Sequence, residues 1–213
     1  MIELYPFRDG IGGICMKKSS LFQLTLTALF IAILFVMDFT PLGYITTGAL
    51  SITLMTVPVA IGAVCLGPLA GAILGGVFGL TSFLQCFGIG FLIDPTGALM
   101  FEASPLGTVA VCFVPRILAG LCCGLVFKSM NALKPDSFLA YPVSCAVLPI
   151  LNTLLFISGY IVTYRHTLLA EVSVKAVFLS ILSLNFLVEL SVTLIVATVV
   201  SRILNKYLKK LSN

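Results

Sequence analysis

The sequence predicts an all-α integral membrane protein with six transmembrane helices and both termini in the cytoplasm. Composition, charge placement and the side on which the cations gather lead to this reading. Of 213 residues 60% are hydrophobic and only 9% charged, against about a quarter charged in an ordinary globular chain. A soluble domain of this length could not hide so much Leu, Ile, Val and Phe, because its surface needs charge to stay dissolved. Soluble enzymes and nucleic-acid binders are therefore excluded. The net charge of +4 comes from 12 basic residues, and their placement follows topology rather than a phosphate-binding patch.

Residues 1 to 15 have no periodic pattern and carry Gly10, Gly12 and Gly13, so that 1 to 18 read as a disordered N-terminal extension, with a misplaced start as the alternative. Met16-Lys17-Lys18 looks like a start in its own right, and the six-helix membrane domain is expected over 19 to 210. No charge lies between Lys18 and Asp38, a run of 19 residues, close to the ~20 that cross the hydrocarbon. That run is the first span. A cleaved signal peptide competes for it, but such signals carry ~7 to 15 apolar residues and a small-x-small site that is missing here.

Between Asp38 and Asp94 stand 55 uncharged residues, too many for one crossing. Gly67-Pro68 is the strong breaker near their middle and can start a helix at Pro68, which gives spans at about 50 to 66 and 68 to 87. A fourth apolar stretch covers 107 to 127, interrupted by Arg116. The fifth covers about 141 to 163, and the last about 176 to 201 with Glu189 inside it. With a cytoplasmic N-terminus, the inner segments hold Arg8, Lys17, Lys18, Lys128, Lys134, Arg202, Lys206, Lys209 and Lys210, and the outer ones hold Arg165 and Lys175. This is a positive-inside distribution.

Small residues form a ladder. Gly67, Gly71, Gly75 and Gly79 recur every fourth position on the third span, with Gly120 and Gly124 on the fourth, and read as close internal packing. Ala28 and Ala32 on the first span are a smooth pair that is either internal or turned to another protein. Cys65, Cys112, Cys122, Cys123 and Cys145 lie in apolar runs and read as packing residues. With one histidine, His166, and no CxxC pair, no metal is expected.

The intramembrane polar residues Arg116, Asn152, Asn185 and Glu189 all fall in the middle of the core at ~1.5 Å per residue. Asn185 and Glu189, four apart, share a helical face. An isolated charge at bilayer centre costs at least ~2.5 to 3.5 kcal/mol, so Arg116 and Glu189 are expected either to pair, locking two helices, or to line a wet ligand pocket. Two outer connections, 38 to 49 and 88 to 106, are rich in Gly, Pro, Thr and Phe and read as lids. Tyr44, Phe83, Gln85, Phe87 and Phe101 are candidate walls, each with the competing reading of an interface or packing side chain.

These features resemble a known family. The pair Ala28-x-x-x-Ala32, the stretch TPLGYITTGALSITLMTVPVAIGAVCLGPLAGAILGGVFGLTSF at 40 to 83, and Val114-Pro115-Arg116-Ile117-Leu118 are similar to the substrate-binding S component of energy-coupling factor (ECF) vitamin transporters over about residues 20 to 205. The nearest likeness is to pantothenate-type members, which have a similar FTPLG-x-I stretch, PRIL, Asn-Thr (Asn152-Thr153) and Asn-x-x-x-Glu (Asn185 and Glu189).

The resemblance implies a vitamin-binding subunit in the cell membrane, without cofactor. Arg116, Asn152, Asn185, Glu189, Tyr44 and Gln85 would serve the ligand, and Ala28 and Ala32 would face a transmembrane coupling subunit driven by two cytoplasmic ATPases. Riboflavin or a pyridoxine-like compound is the alternative ligand. The chain has no GxxxxGK[ST] with which to hydrolyse ATP itself. A membrane-embedded enzyme is the rival class, disfavoured because it would want clustered Asp or His.

Overall fold

A computed structural model describes residues 18–47, 50–91, 95–134, 137–165 and 184–212. Of the extension expected at 1 to 18, residues 1 to 17 lie outside the described residues and Lys18 begins α1; the start of the last span, 176 to 183, also lies outside them. In chain order the elements are α1 Lys18–Asp38, β1 Tyr44–Thr47, β2 Leu50–Thr53, α2 Thr56–Leu66, α3 Pro68–Gln85, α4 Pro95–Ala103, α5 Pro105–Leu133 and α6 Ala140–Tyr164. After these come α7 Leu184–Val192, a π-helical turn Thr193–Ala197 and α8 Thr198–Ser212.

Among the described residues, five stretches are long and apolar enough to cross a bilayer: Leu21–Asp38, Pro68–Gln85, Pro105–Leu133, Ala140–Tyr164 and Phe186–Leu208. The spans expected at 19 to 37, 68 to 87 and 141 to 163 thus match their helices within two residues. The fourth helix runs further than the apolar count at both ends. Ser104 caps its start by accepting from the Gly107 N–H (3.3 Å), Pro105 pre-sets its first turn, and its last turns carry Lys128 past the apolar run.

The span expected at 50 to 66 is corrected. Its helix is only the 11-residue Thr56–Leu66, about 16 Å long, and residues 50 to 53 pair antiparallel with 44 to 47 in the register Tyr44↔Thr53, Ile45↔Ile52, Thr46↔Ser51 and Thr47↔Leu50. Ile45, Thr46, Thr47, Ile52 and Thr53 are β-branched, a type that fits a pleated strand and is stiff in a helix. In an uninterrupted apolar run this preference was invisible to a count of charges. The connection from 88 to 106 also holds more structure than expected, since the nine-residue α4 lies within it.

Helix α2 is apolar on all sides, the pattern of a surrounded helix, and Thr56, Pro58, Val59, Ala60, Ile61, Gly62, Ala63 and Val64 are buried. Around it close Phe30 and Leu34 of α1, Leu74 and Phe78 of α3, Ala119 and Cys123 of α5, and Cys145 and Leu148 of α6. Gly67, at φ +99°, breaks α2 from α3. It precedes α3, so the glycine ridge begins at Gly71.

That ridge sits directly on the α5 backbone. A methyl added to Gly71 would strike the Gly120 carbonyl, one on Gly75 the carbonyl of Arg116, and one on Gly79 would lie 2.9 Å from the Cys112 carbonyl. Each step of four up α3 matches a step of four back along α5. The ladder is internal packing, as expected, and it fixes the height of Arg116 against α3.

Candidate functional site

The site is assembled around a proline. Pro115 lies inside α5, and a proline has no N–H to give to the carbonyl four residues back, here Val111. Arg116 supplies the missing donor. Its side chain folds back along the helix, and Nη1 donates to the carbonyls of Val111 (3.2 Å) and Cys112 (2.9 Å). The guanidinium carbon lies 5.0 Å from the ring centroid of Phe78 on α3 and 5.5 Å from that of Phe156 on α6, a cation–π sandwich that holds the cation without neutralising it.

Among the described residues no carboxylate is in ion-pair contact with Arg116, and its Nε has no hydrogen-bond partner. Glu189 of α7 lies within electrostatic range of the guanidinium and against Thr56 of α2, and it is only 6% exposed with Oε1 unpartnered. The simple lock between Arg116 and Glu189 is therefore not the arrangement found. The two groups are not in ion-pair contact, and each keeps unused hydrogen-bonding capacity.

Asn152 stands one helical turn from Phe156 on α6, buried, with Oδ1 unpartnered. One turn beyond Glu189, Thr193 shares a hydrogen bond with Thr56 (2.9 Å), which fastens the start of α2 to the π-helical turn. The level is common to all of these groups. Thr56 is about 16 Å above the Gly67 break, and eleven residues into α3, at the same rise, lies Phe78 beneath Arg116.

Asn185 and Tyr44 belong to α7 and β1, and their side chains lie outside the described residues. Gln85 does not stand beside Arg116. It is seven residues above Phe78 on α3, about 10 Å higher, where its Nε2 donates to Oδ1 of Asp38 (2.6 Å). Asp38 is fully buried with Oδ2 unpartnered, and its carbonyl accepts from the Phe91 N–H (2.9 Å). Gly90, at φ +133°, passes so close that a methyl there would lie 3.3 Å from the Asp38 carboxylate. The C-terminal end of α1 is thereby tied to the chain that leaves α3.

Phe83, Phe87 and Phe101 meet as a cluster rather than as separate walls. Ring centroids are 5.1 Å apart for Phe83 and Phe87, 4.7 Å for Phe87 and Phe101, and 6.1 Å for Phe83 and Phe101, in edge-on geometries that favour aromatic contact. They join α3 to α4 above the polar level. Ala28 and Ala32 are exposed on α1, beside Leu24, Leu29 and Val36, so this pair is not internal.

Sequence reasoning overlooked Asp38, read only as the end of a span, along with Thr56, Thr193, Phe78 and Phe156. A signal existed for some of them. Thr193 follows Glu189 by four, and Arg116 directly follows a proline that strips a carbonyl of its donor.

A half-buried guanidinium with no ion-pair partner among the described residues, on helices that also carry a buried amide oxygen, a carboxyl group and hydroxyls, suits a small polar anion that also carries hydroxyl or amide groups. Comparison with known proteins gives the same direction. Residues 22–201 match the family model described as ECF transporter, substrate-specific component. The chain is 29% identical over 199 residues to the pantothenic acid transporter PanT of Lactococcus lactis subsp. cremoris (strain MG1363), covering 90% of this chain and 97% of that protein. It is 36% identical over 118 residues to the pantothenate transporter PanT of Leuconostoc mesenteroides subsp. mesenteroides, covering 53% of this chain and 54% of that protein.

Proposed function

The chain belongs to the family of ECF transporter substrate-specific components, and on that premise we propose that it is the pantothenate-binding subunit of a vitamin-uptake system in the cell membrane. It is a binding subunit, not an enzyme. Pantothenate carries one carboxylate, two hydroxyls and an amide. Arg116 takes the carboxylate, Asn152 and Asn185 serve the amide and hydroxyls, and Glu189 accepts from a hydroxyl. Gln85 and Tyr44 border the outer approach. The observation that carries the reading is the guanidinium of Arg116, held at membrane depth by carbonyls and ring faces with no carboxylate in ion-pair contact among the described residues. If Glu189 neutralised it, the site would suit an uncharged ligand instead.

In this reading α2 and its hairpin together make one of six crossings, and both termini are cytoplasmic, as the distribution of Lys and Arg suggests. Ala28 and Ala32 meet a transmembrane coupling subunit, and two cytoplasmic ATPases supply the energy. Uptake of labelled pantothenate is measured in cells with this chain alone and with the coupling subunit and ATPases added. Uptake is expected only with the full set. Concentrative uptake by the chain alone sinks the proposal, and binding of riboflavin or a pyridoxine-like ring in place of pantothenate overturns the ligand.

A further inference from the structure

The end of the molecule opposite the candidate site carries a mixed surface that vitamin binding leaves unused. Up to Val200 the last helix is apolar on its exposed sides, with Leu194, Ile195, Val196, Val199 and Val200 all outward. At Arg202 it becomes two-sided. Arg202, Lys206 and Lys209 recur at spacings of four and three along α8, with Lys210 next to the last, and no acidic residue lies in Thr198–Ser212. Ile203 and Tyr207, 52% and 63% exposed, keep an apolar strip beside the cations.

The neighbouring turn continues the surface. The Arg202 guanidinium carbon lies 4.9 Å from the ring centroid of Phe138, just before α6, and Phe138 is itself exposed. Close by in sequence, α5 ends in exposed Lys128 and Leu133 and passes to exposed Lys134. Asp136, the acid nearest in sequence, lies outside the described residues.

Exposed apolar side chains interleaved with cations at the exit of a transmembrane helix have a specific physical fit, the boundary between acyl chains and anionic headgroups. A protein partner fits less well, since lysine is depleted in protein interfaces. We propose that this face binds anionic phospholipid headgroups, with Lys128, Lys134 and Lys206 contacting phosphates and Ile203 and Tyr207 seated among the upper acyl carbons. The assignment to the cytoplasmic leaflet rests on the topology proposed above; the lipid preference itself does not.

The test is native mass spectrometry of the full chain released from micelles containing equimolar phosphatidylcholine and phosphatidylglycerol. Wild type is expected to retain phosphatidylglycerol preferentially. The triple variant Lys128→Gln, Lys134→Gln, Lys206→Gln is expected to lose that preference by about fivefold per cation at low salt, on the order of a hundredfold in all. The corresponding Lys→Arg triple keeps it, and pantothenate binding is unchanged in both. Equal retention of the two lipids by wild type, or an undiminished preference in the Gln triple, overturns the proposal. So does a Gln triple that retains the lipid but no longer co-purifies with the coupling subunit and ATPases, since the face then belongs to protein. Micelles have no leaflets, so an inverted topology would leave this result intact and would show instead in proteolysis of the C-terminus from the cell exterior.

Discussion

Arg116 has two jobs that a single substitution confuses, and Pro115 allows them to be separated. Arg116→Gln removes the charge that pantothenate would meet, and it also strips the Val111 carbonyl of the donor that replaces the proline's missing N–H. A buried polar group left without its partner costs about 1 to 3 kcal/mol. At ~2 to 4 °C per kcal/mol for a chain of this size, the variant should melt a few degrees lower. Loss of a charge-assisted bond to the ligand carboxylate, ~1.5 to 3 kcal/mol, should weaken pantothenate binding by roughly 10- to 150-fold. The double variant Pro115→Ala, Arg116→Gln returns an N–H to Val111. It should recover much of the melting temperature and none of the affinity. Melting of purified protein and calorimetric titration with pantothenate read the two effects independently. If the double variant regains both, Arg116 acts on the ligand only through the helix and its assignment to the carboxylate is wrong.

Three further outcomes follow from the packing. Replacing Ala28 and Ala32 together by Leu should abolish uptake while calorimetry shows unaltered pantothenate binding, because both are exposed on α1; lost binding would place them in the fold instead. Thr56→Val or Thr193→Val should each cost about 1 to 3 kcal/mol by stranding the other hydroxyl, and the double Val variant should be less destabilised than the sum of the two, as read in a double-mutant cycle of thermal melts. Gly75→Ala should destabilise by about 1 to 3 kcal/mol, because its methyl meets the Arg116 carbonyl and α3 must retreat from α5, whereas Gly76→Ala, whose methyl would rest at 3.6 Å from Ile117, should be nearly silent; equal melting temperatures would contradict the backbone contact.

Charge placement made the long spans legible, since a bilayer enforces an apolar run between charges and little else competes with that rule. It failed where the chain is apolar but not helical. The β-branched residues at 45 to 53 sat inside an unbroken uncharged run and were divided between a loop and a span, while α4, which begins just after Asp94 and includes Glu102, was read as loop. Depth along a helix was equally legible, which is why Arg116, Asn152 and Glu189 were singled out together. Facing was not. Nothing in the spacing revealed that Arg116 bends back over its own proline, or that Gln85 spends its amide on Asp38. The first is a side-chain rotamer choice within α5; the second depends on a contact between helices far apart in sequence.

The brevity of α2 has a bearing on how a polar solute gets in. A helix of about 16 Å fills half the thickness of a ~30 Å hydrocarbon slab, and the hairpin that continues it has only one partner for each strand, so each strand keeps an outer edge of N–H and C=O groups. Hydrocarbon offers no partner to such edges, and non-helical backbone at this depth survives only when shielded by protein or bathed by water. The half of the molecule above Thr56 is therefore a place from which lipid is kept out. That region stands over the level of Thr56 and Phe78, so a hydrophilic solute reaching Arg116 from this side would not have to cross hydrocarbon.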